Sequence, residues 1–188
     1  MNQPTLFNPF PIITTSRLIL RKITHADAPD IYLMRSDPEV MRYIPRPLAT
    51  CVDDVLKLID LINGFVDTEE RINWAMELKE TGQVIGMIGY VNRQPAHCRA
   101  EVGYSLNRTF HRKGLMREAL IGVIRYGFQE MQLHTIEAII DAENEASGAL
   151  LENVGFKQEA YFREDFLHNG EYRNSVHYGL LHSDPLNL

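Results

Sequence analysis

The hydrophobic period of this chain changes at Gly114. Upstream, "AEVGYSL" alternates from Ala100 to Leu106 in the manner of a strand. Downstream, Met116, Ala119, Leu120, Val123, Ile124, Phe128 and Met131 recur at helical spacing. A strand that passes directly into an amphipathic helix must lay that helix back on a sheet, which restricts the chain to an α/β class of fold. The junction itself, "FHRKGLMREAL", crowds Arg112, Lys113 and Arg117 around the start of an apolar helix.

The rest of the chain agrees with that class. "SRLILRKI", residues 16–23, reads as a first strand, and Thr24 as the cap of a helix after it. Thr50 is placed to cap a second helix, with Val55, Leu58, Ile59, Ile62 and Phe65 on its apolar face. "INWAMEL" and "VIGMIGYV" form a hairpin around "ETGQ", with Ile72, Trp74, Met76 and Leu78 on one face. "TIEAIID" is a buried strand from Thr135 to Asp141, followed by a short helix, "ENEASGALLENV", that Gly155 stops. Asn169-Gly170 turns a closing hairpin. With no repeat or linker, the 188 residues are expected to form one domain, 1–188, with a core of about 15–181.

Composition narrows the function. Hydrophobic residues at 45% and charged residues at 23% describe a soluble globular chain, and a net charge of -6 argues against nucleic acid as a partner. Cys51 and Cys98 form no Cys-x-x-Cys pair, and the seven histidines are scattered, so no metal is expected. Residues 1–11 lack the pattern of a signal peptide, and no apolar run approaches the ~20 residues of a membrane span. A cytoplasmic location is expected, as a monomer or homodimer.

The first N–H groups of a helix have no partner inside it, and with the helix dipole they form an anion site. Gly114 lets a phosphate approach the backbone, and Arg112, Lys113 and Arg117 add charge. Alone, the segment reads equally as a basic helix start on a solvated turn. It is neither a Walker loop nor a Gly-x-Gly-x-x-Gly dinucleotide turn.

Taken with "NEASGALLENVGF", residues 144–156, the chain resembles the GNAT superfamily of acetyl-CoA-dependent N-acetyltransferases. More narrowly it resembles the branch typified by the RimJ and RimL ribosomal-protein acetyltransferases. "TSRLILRKITHADAPDIYLMRSDPEVMRYI", "AEVGYSLNRTFHRKGLMREAL", "IIDAENEASGALLENVGF" and "NGEYRNSVHYGLL" carry the likeness over about residues 15–181. It implies a mixed, mostly antiparallel twisted sheet flanked by helices, with a cofactor gap between two splayed central strands. The family's pyrophosphate loop reads Gln/Arg-x-x-Gly-x-Gly/Ala, and here His111, Gly114 and Met116 hold the signature positions. The resemblance assigns acetyl-CoA as co-substrate, without a metal. It places the pantetheine arm against backbone groups of Ser105 and Leu106, and the pyrophosphate on the amides of Arg112, Lys113, Gly114, Leu115, Met116 and Arg117. Asn144 is assigned to the pantetheine or the incoming amine, and Ser147 to the neighbourhood of the coenzyme sulfur.

The chemistry of that resemblance singles out further residues. Amines titrate at ~8 (α) and ~10.4 (lysine), so transfer near neutral pH needs a base. Glu101 is the candidate, sharing a face with Gly103 and Ser105 opposite Val102, Tyr104 and Leu106; the alternative is a strand glutamate paired with a surface cation. Where many family members carry an acidic Tyr on the helix after the last core strand, this chain has Leu151. Ser147, one turn after Asn144, is the candidate for stabilising the sulfur, or else a small helix residue. The expected activity is direct acetyl transfer to a primary amine, the N-terminus of a basic, ribosomal-type protein ahead of a small amine. A small-molecule acetyltransferase and a non-catalytic CoA-binding module are the alternatives.

Overall fold

In the computed structural model, residues 6–187 are described; residues 1–5, part of the segment read for a signal peptide, lie outside them. Eight strands form one sheet in the order β1-β2-β3-β4-β5-β6-β8-β7. The first four are β1 (Ile13–Thr14), β2 (Leu18–Lys22), β3 (Ile72–Leu78) and β4 (Val84–Gln94). After them come β5 (Arg99–Leu106), β6 (Thr135–Asp141), β7 (Lys157–His168) and β8 (Glu171–Leu181). Every neighbouring pair is antiparallel except β5 with β6.

Helices cover both faces. α1 (Ala28–Arg35), α2 (Pro38–Met41) and α3 (Val52–Asp67) follow β2. Ile31, Val55 and Ile59 from α1 and α3 bury against Ala75 and Val84. On the opposite face α4 (Leu115–Gln129) and α5 (Glu145–Val154) close a larger core, where Ala119, Leu120, Val123 and Ile124 pack on Trp74, Ile88 and Tyr90. Gly127 makes that seat possible, because a Cβ there would collide with the Tyr90 hydroxyl, which donates to Val123 O at 2.9 Å. The hairpin between β7 and β8 turns on Asn169 and Gly170, both at positive φ (51° and 83°) as a two-residue primed turn demands.

Three boundaries differ from the sequence reading, each for a local reason. Thr24 does not cap α1 directly. It forms a capping box with Asp27 over a 3-10 turn, and α1 starts at Ala28 with Pro29 in its first turn, where its missing N–H costs nothing. Thr50 sits one residue before the cap of α3, Cys51, and binds Asp54 through its amide and hydroxyl. Met131 lies beyond the end of α4. β1 is two residues long, too short to leave a period in the sequence.

Asp27 also anchors β2 to the helices. Arg21 donates to both Asp27 oxygens at 2.8 Å and to Glu77, while Thr24 N donates to Asp27 Oδ2 at 2.8 Å. Burial alone would raise the Asp27 carboxyl, but the bonds from Arg21 and Thr24 outweigh it and hold the pKa below the ordinary aspartate value. Asp27→Ala should destabilise the fold by about 2–3 kcal/mol at pH 7, less than for a fully buried pair because Arg21 keeps Glu77. A depressed pKa means this stability is present above the unfolded aspartate pKa and disappears as pH falls through the folded one. Thermal melts of both proteins from pH 7 downward should therefore converge in acid; a constant difference would make the loss one of packing.

Candidate active site

β5 and β6 pair only at their beginnings. Arg99, Ala100 and Glu101 face Thr135, Ile136 and Glu137, and no pairing continues to the ends of the strands. Parallel strands that part in this way open a crevice at their carboxyl ends, where open α/β sheets bind ligands. Strand alternation decides which backbone groups face it. Cys98 O accepts from His134 N and Thr135 N on the β6 side, and Asn107 N donates to Ile85 O on the β4 side. Even-numbered residues of β5 therefore turn toward the opening, so the main chain of Ser105 faces β4. Val102, Tyr104 and Leu106 face the crevice. Of their groups, Leu106 O is already engaged by His111 Nε2 at 3.0 Å, so His111 closes the strand end.

The loop above the crevice is bent for close approach. Arg112 and Gly114 both have positive φ, 59° and 73°. Gly114 caps α4 in the left-handed region, and the first intrahelical bond runs from Glu118 N to Gly114 O at 3.1 Å. The N–H groups of Leu115, Met116 and Arg117 thus lie in the unpaired first turn. Arg112 and Lys113 are exposed beside it. The Arg117 guanidinium is committed elsewhere, donating to Asn153 Oδ1 at 2.7 Å and Asn187 O at 2.8 Å. Two of its donors are therefore committed to tying α4 to α5 and to the C-terminal segment. Arg17 holds the loop from behind: NH1 donates to Lys113 O at 2.9 Å and Nε to Glu118 Oε2 at 2.7 Å. Glu118 also accepts from Thr15 Oγ1 and Arg17 N, and these bonds outweigh burial and keep its carboxyl below the ordinary range.

The opposite wall is the start of α5. Asn144 caps it, its Oδ1 accepting from Ser147 N at 3.2 Å, which orients the amide and leaves Nδ2 as a donor. Ser147 is buried, and its Oγ lies 2.6 Å from the Tyr104 hydroxyl. This bond runs from β5 to α5, joining the two walls of the crevice. Burial pushes Tyr104 up to about 12 against the opposing effect of Ser147. Leu151 is fully buried in the core. Tyr178 is buried with its hydroxyl 3.2 Å from Glu152 Oε1, whereas Tyr172 is exposed.

Glu101 is the last residue of β5 paired with β6, at the apex of the opening. Burial raises its carboxyl above the ordinary glutamate value, opposed by a hydrogen bond with Asn92 and the charge of Arg71. Arg71 and Asn92 also line an open cavity of about 470 Å³, with Glu69, Glu70 and Arg93. Among the described residues, no group of three His, Cys, Asp or Glu side chains is arranged for a metal ion.

The family model for the acetyltransferase (GNAT) domain matches residues 17–157. The chain belongs to the GNAT acetyltransferase family. It is 35% identical to the uncharacterized N-acetyltransferase YoaA of Bacillus subtilis, over 86% of this chain and 91% of YoaA. It is also 28% identical to the [ribosomal protein uS5]-alanine N-acetyltransferase of Escherichia coli, covering 87% of each chain. Similarity to the spermidine N(1)-acetyltransferase of Escherichia coli is 27%, over 84% of this chain and 82% of that one. The crystal structure of a GNAT-family acetyltransferase from Bacillus anthracis superposes with a TM-score of 0.82 at 29% identity, covering 91% of this chain and 98% of that one.

Within this GNAT domain the expected residues come together unequally. Gly114, the amides of 115–117, Asn144 and Ser147 surround the crevice, and Glu101 stands at its apex. Ser105 turns its main chain away, and the Arg117 side chain is engaged with α5 and the C-terminal segment. Sequence reasoning missed Arg17, Glu118 and Tyr104 as parts of the site. Tyr104 had a signal: alternation puts it on the face of β5 that α4 and α5 cover, the face toward which Ser147 must look.

Proposed function

We propose that this N-acetyltransferase moves an acetyl group from acetyl-CoA directly to a primary amine of a cationic acceptor, a protein N-terminus ahead of a polyamine. The observation that carries the reading is the parting of β5 from β6 beside the free first turn of α4. Crevice-facing N–H and C=O groups of Val102 and Tyr104, with the Leu106 N–H, offer strand-like pairing to an amide-bearing arm. The α4 amides, with Arg112 and Lys113, suit a pyrophosphate. Asn144 Nδ2, which makes no hydrogen bond among the described residues, is available to donate to an amide carbonyl.

Bound acetyl-CoA supplies an activated thioester. The protein's part is then threefold. Glu101, with its raised pKa, takes the proton of the incoming amine, directly or through water. A crevice-facing N–H of β5 stabilises the oxyanion. Ser147 donates to the departing sulfur. Neither exposed cysteine, Cys51 or Cys98, enters this direct transfer.

The acceptor class rests on the net charge of -6 and on two relatives, one named for a ribosomal-protein alanine and one for spermidine. An α-amine has the advantage over lysine, since its pKa of ~8 against ~10.4 leaves more neutral amine. An acceptor screen with acetyl-CoA, following free thiol release, should rank basic N-terminal peptides first, polyamines next and lysine side chains last. The specificity constant kcat/KM should fall as salt rises, because the field is screened over ~8 Å at physiological ionic strength. Preference for a neutral or anionic amine would replace this acceptor class with a small-molecule one.

A further inference from the structure

Tyr104 and Ser147 carry two O–H hydrogens and share one hydrogen bond, 2.6 Å long. No other hydrogen bond of either hydroxyl occurs among the described residues, so one O–H is left over. Its place is defined: Ser147 is 8% exposed, and the pair joins the two walls of the β5–β6 crevice. A helical serine usually disposes of its hydrogen on a carbonyl three or four residues back. Ser147 does not; only its backbone N–H is used, in the Asn144 cap.

Direction follows from acidity. A phenol is a much stronger hydrogen-bond donor than an aliphatic alcohol, so the stable arrangement has Tyr104 donating to Ser147 Oγ. Burial holds the phenol protonated to about 12, so this donor persists across neutral pH. Tyr178 on β8, whose charge acts on Tyr104, donates to Glu152 on α5 rather than to the pair.

We propose that Tyr104 is a positioning residue whose phenol, by donating to Ser147, aims the serine's own O–H into the crevice toward the sulfur that leaves during acetyl transfer. The inference rests on the acetyl-CoA reading above and adds the device that sets the donor's direction. In the step it serves, the N–C bond forms and the C–S bond breaks, with the electron pair passing to sulfur. The amine proton goes to Glu101, and the thiolate is held by the Ser147 hydrogen bond until solvent protonates it. Neither Ser147 nor Tyr104 loses a proton.

The test reads the bound sulfur directly, without any acceptor. The thiol of CoA bound to the protein is titrated by its ultraviolet thiolate absorbance, with enzyme alone subtracted. A donor aimed at sulfur should lower the bound thiol pKa by about one unit relative to free CoA. Ser147→Ala should remove that lowering. Tyr104→Phe, which keeps the ring packed on the core, should remove most of it while leaving the Kd for CoA nearly unchanged. The double variant should be no worse than Ser147→Ala, because Tyr104 acts only through the serine. With an acceptor in hand, Tyr104→Phe should lower kcat about tenfold and leave KM for acetyl-CoA unchanged. A wild-type thiol pKa in Tyr104→Phe, or separate additive shifts in the two variants, would overturn the proposal and leave the transferase reading intact. Failure of the wild type to bind CoA would overturn both.

Discussion

Gly114→Asp is expected to abolish the stabilisation that acetyl-CoA gives the fold. For the wild-type protein at 100 times the dissociation constant that stabilisation amounts to ~2.7 kcal/mol, or about 5–10 °C in Tm for a domain of this size. The substituted side chain would add a carboxylate at the cap of α4, on the Arg17 side of the loop, and its charge would oppose a pyrophosphate on the adjacent first-turn N–H groups. The apo fold should survive. Gly114 has φ of 73°, which aspartate tolerates better than most residues, and its new Cβ would meet only Arg17 NH2, at an ordinary 3.6 Å. Differential scanning with and without acetyl-CoA separates the two effects. Wild-type stabilisation in the variant would sink the phosphate-loop reading.

The second large effect is expected at Glu101. Glu101→Gln should cut turnover by about 10²–10³-fold near neutral pH. The pH profile carries more information than the magnitude. Because burial raises the Glu101 pKa, wild-type activity should disappear, as pH falls, at a higher pH than the ~4.3 of an ordinary glutamate would give. In the glutamine variant that limb should vanish, and activity should recover at high pH as the amine deprotonates itself. A deficit that stays flat with pH would make Glu101 a positioning residue at the strand junction.

The sequence by itself determined whatever obeys a local rule. The switch of period at Gly114, the Asn169-Gly170 turn, the Gly155 stop and the opposed faces of β5 all depend on neighbours a few residues apart. Within one element, side-chain direction follows from a fixed period, so Glu101 and Tyr104 could be assigned to opposite faces before any packing was known. Even the misplaced caps at Thr24 and Thr50 erred by only a residue or a turn.

Tertiary structure alone decided where β5 leaves β6, which backbone groups were thereby left open, and which side chains meet across the opening. Tyr104 reaches Ser147 across 43 residues of chain, and Arg17 reaches Glu118 across 101. Such contacts leave no period in the sequence, because they depend on how far two strands diverge and how a helix lies on them. The same reasoning accounts for Arg117. A basic residue in the first turn of a helix has the charge for a phosphate, but the packing of α5 against α4 supplied Asn153 as a nearer partner and turned the guanidinium away.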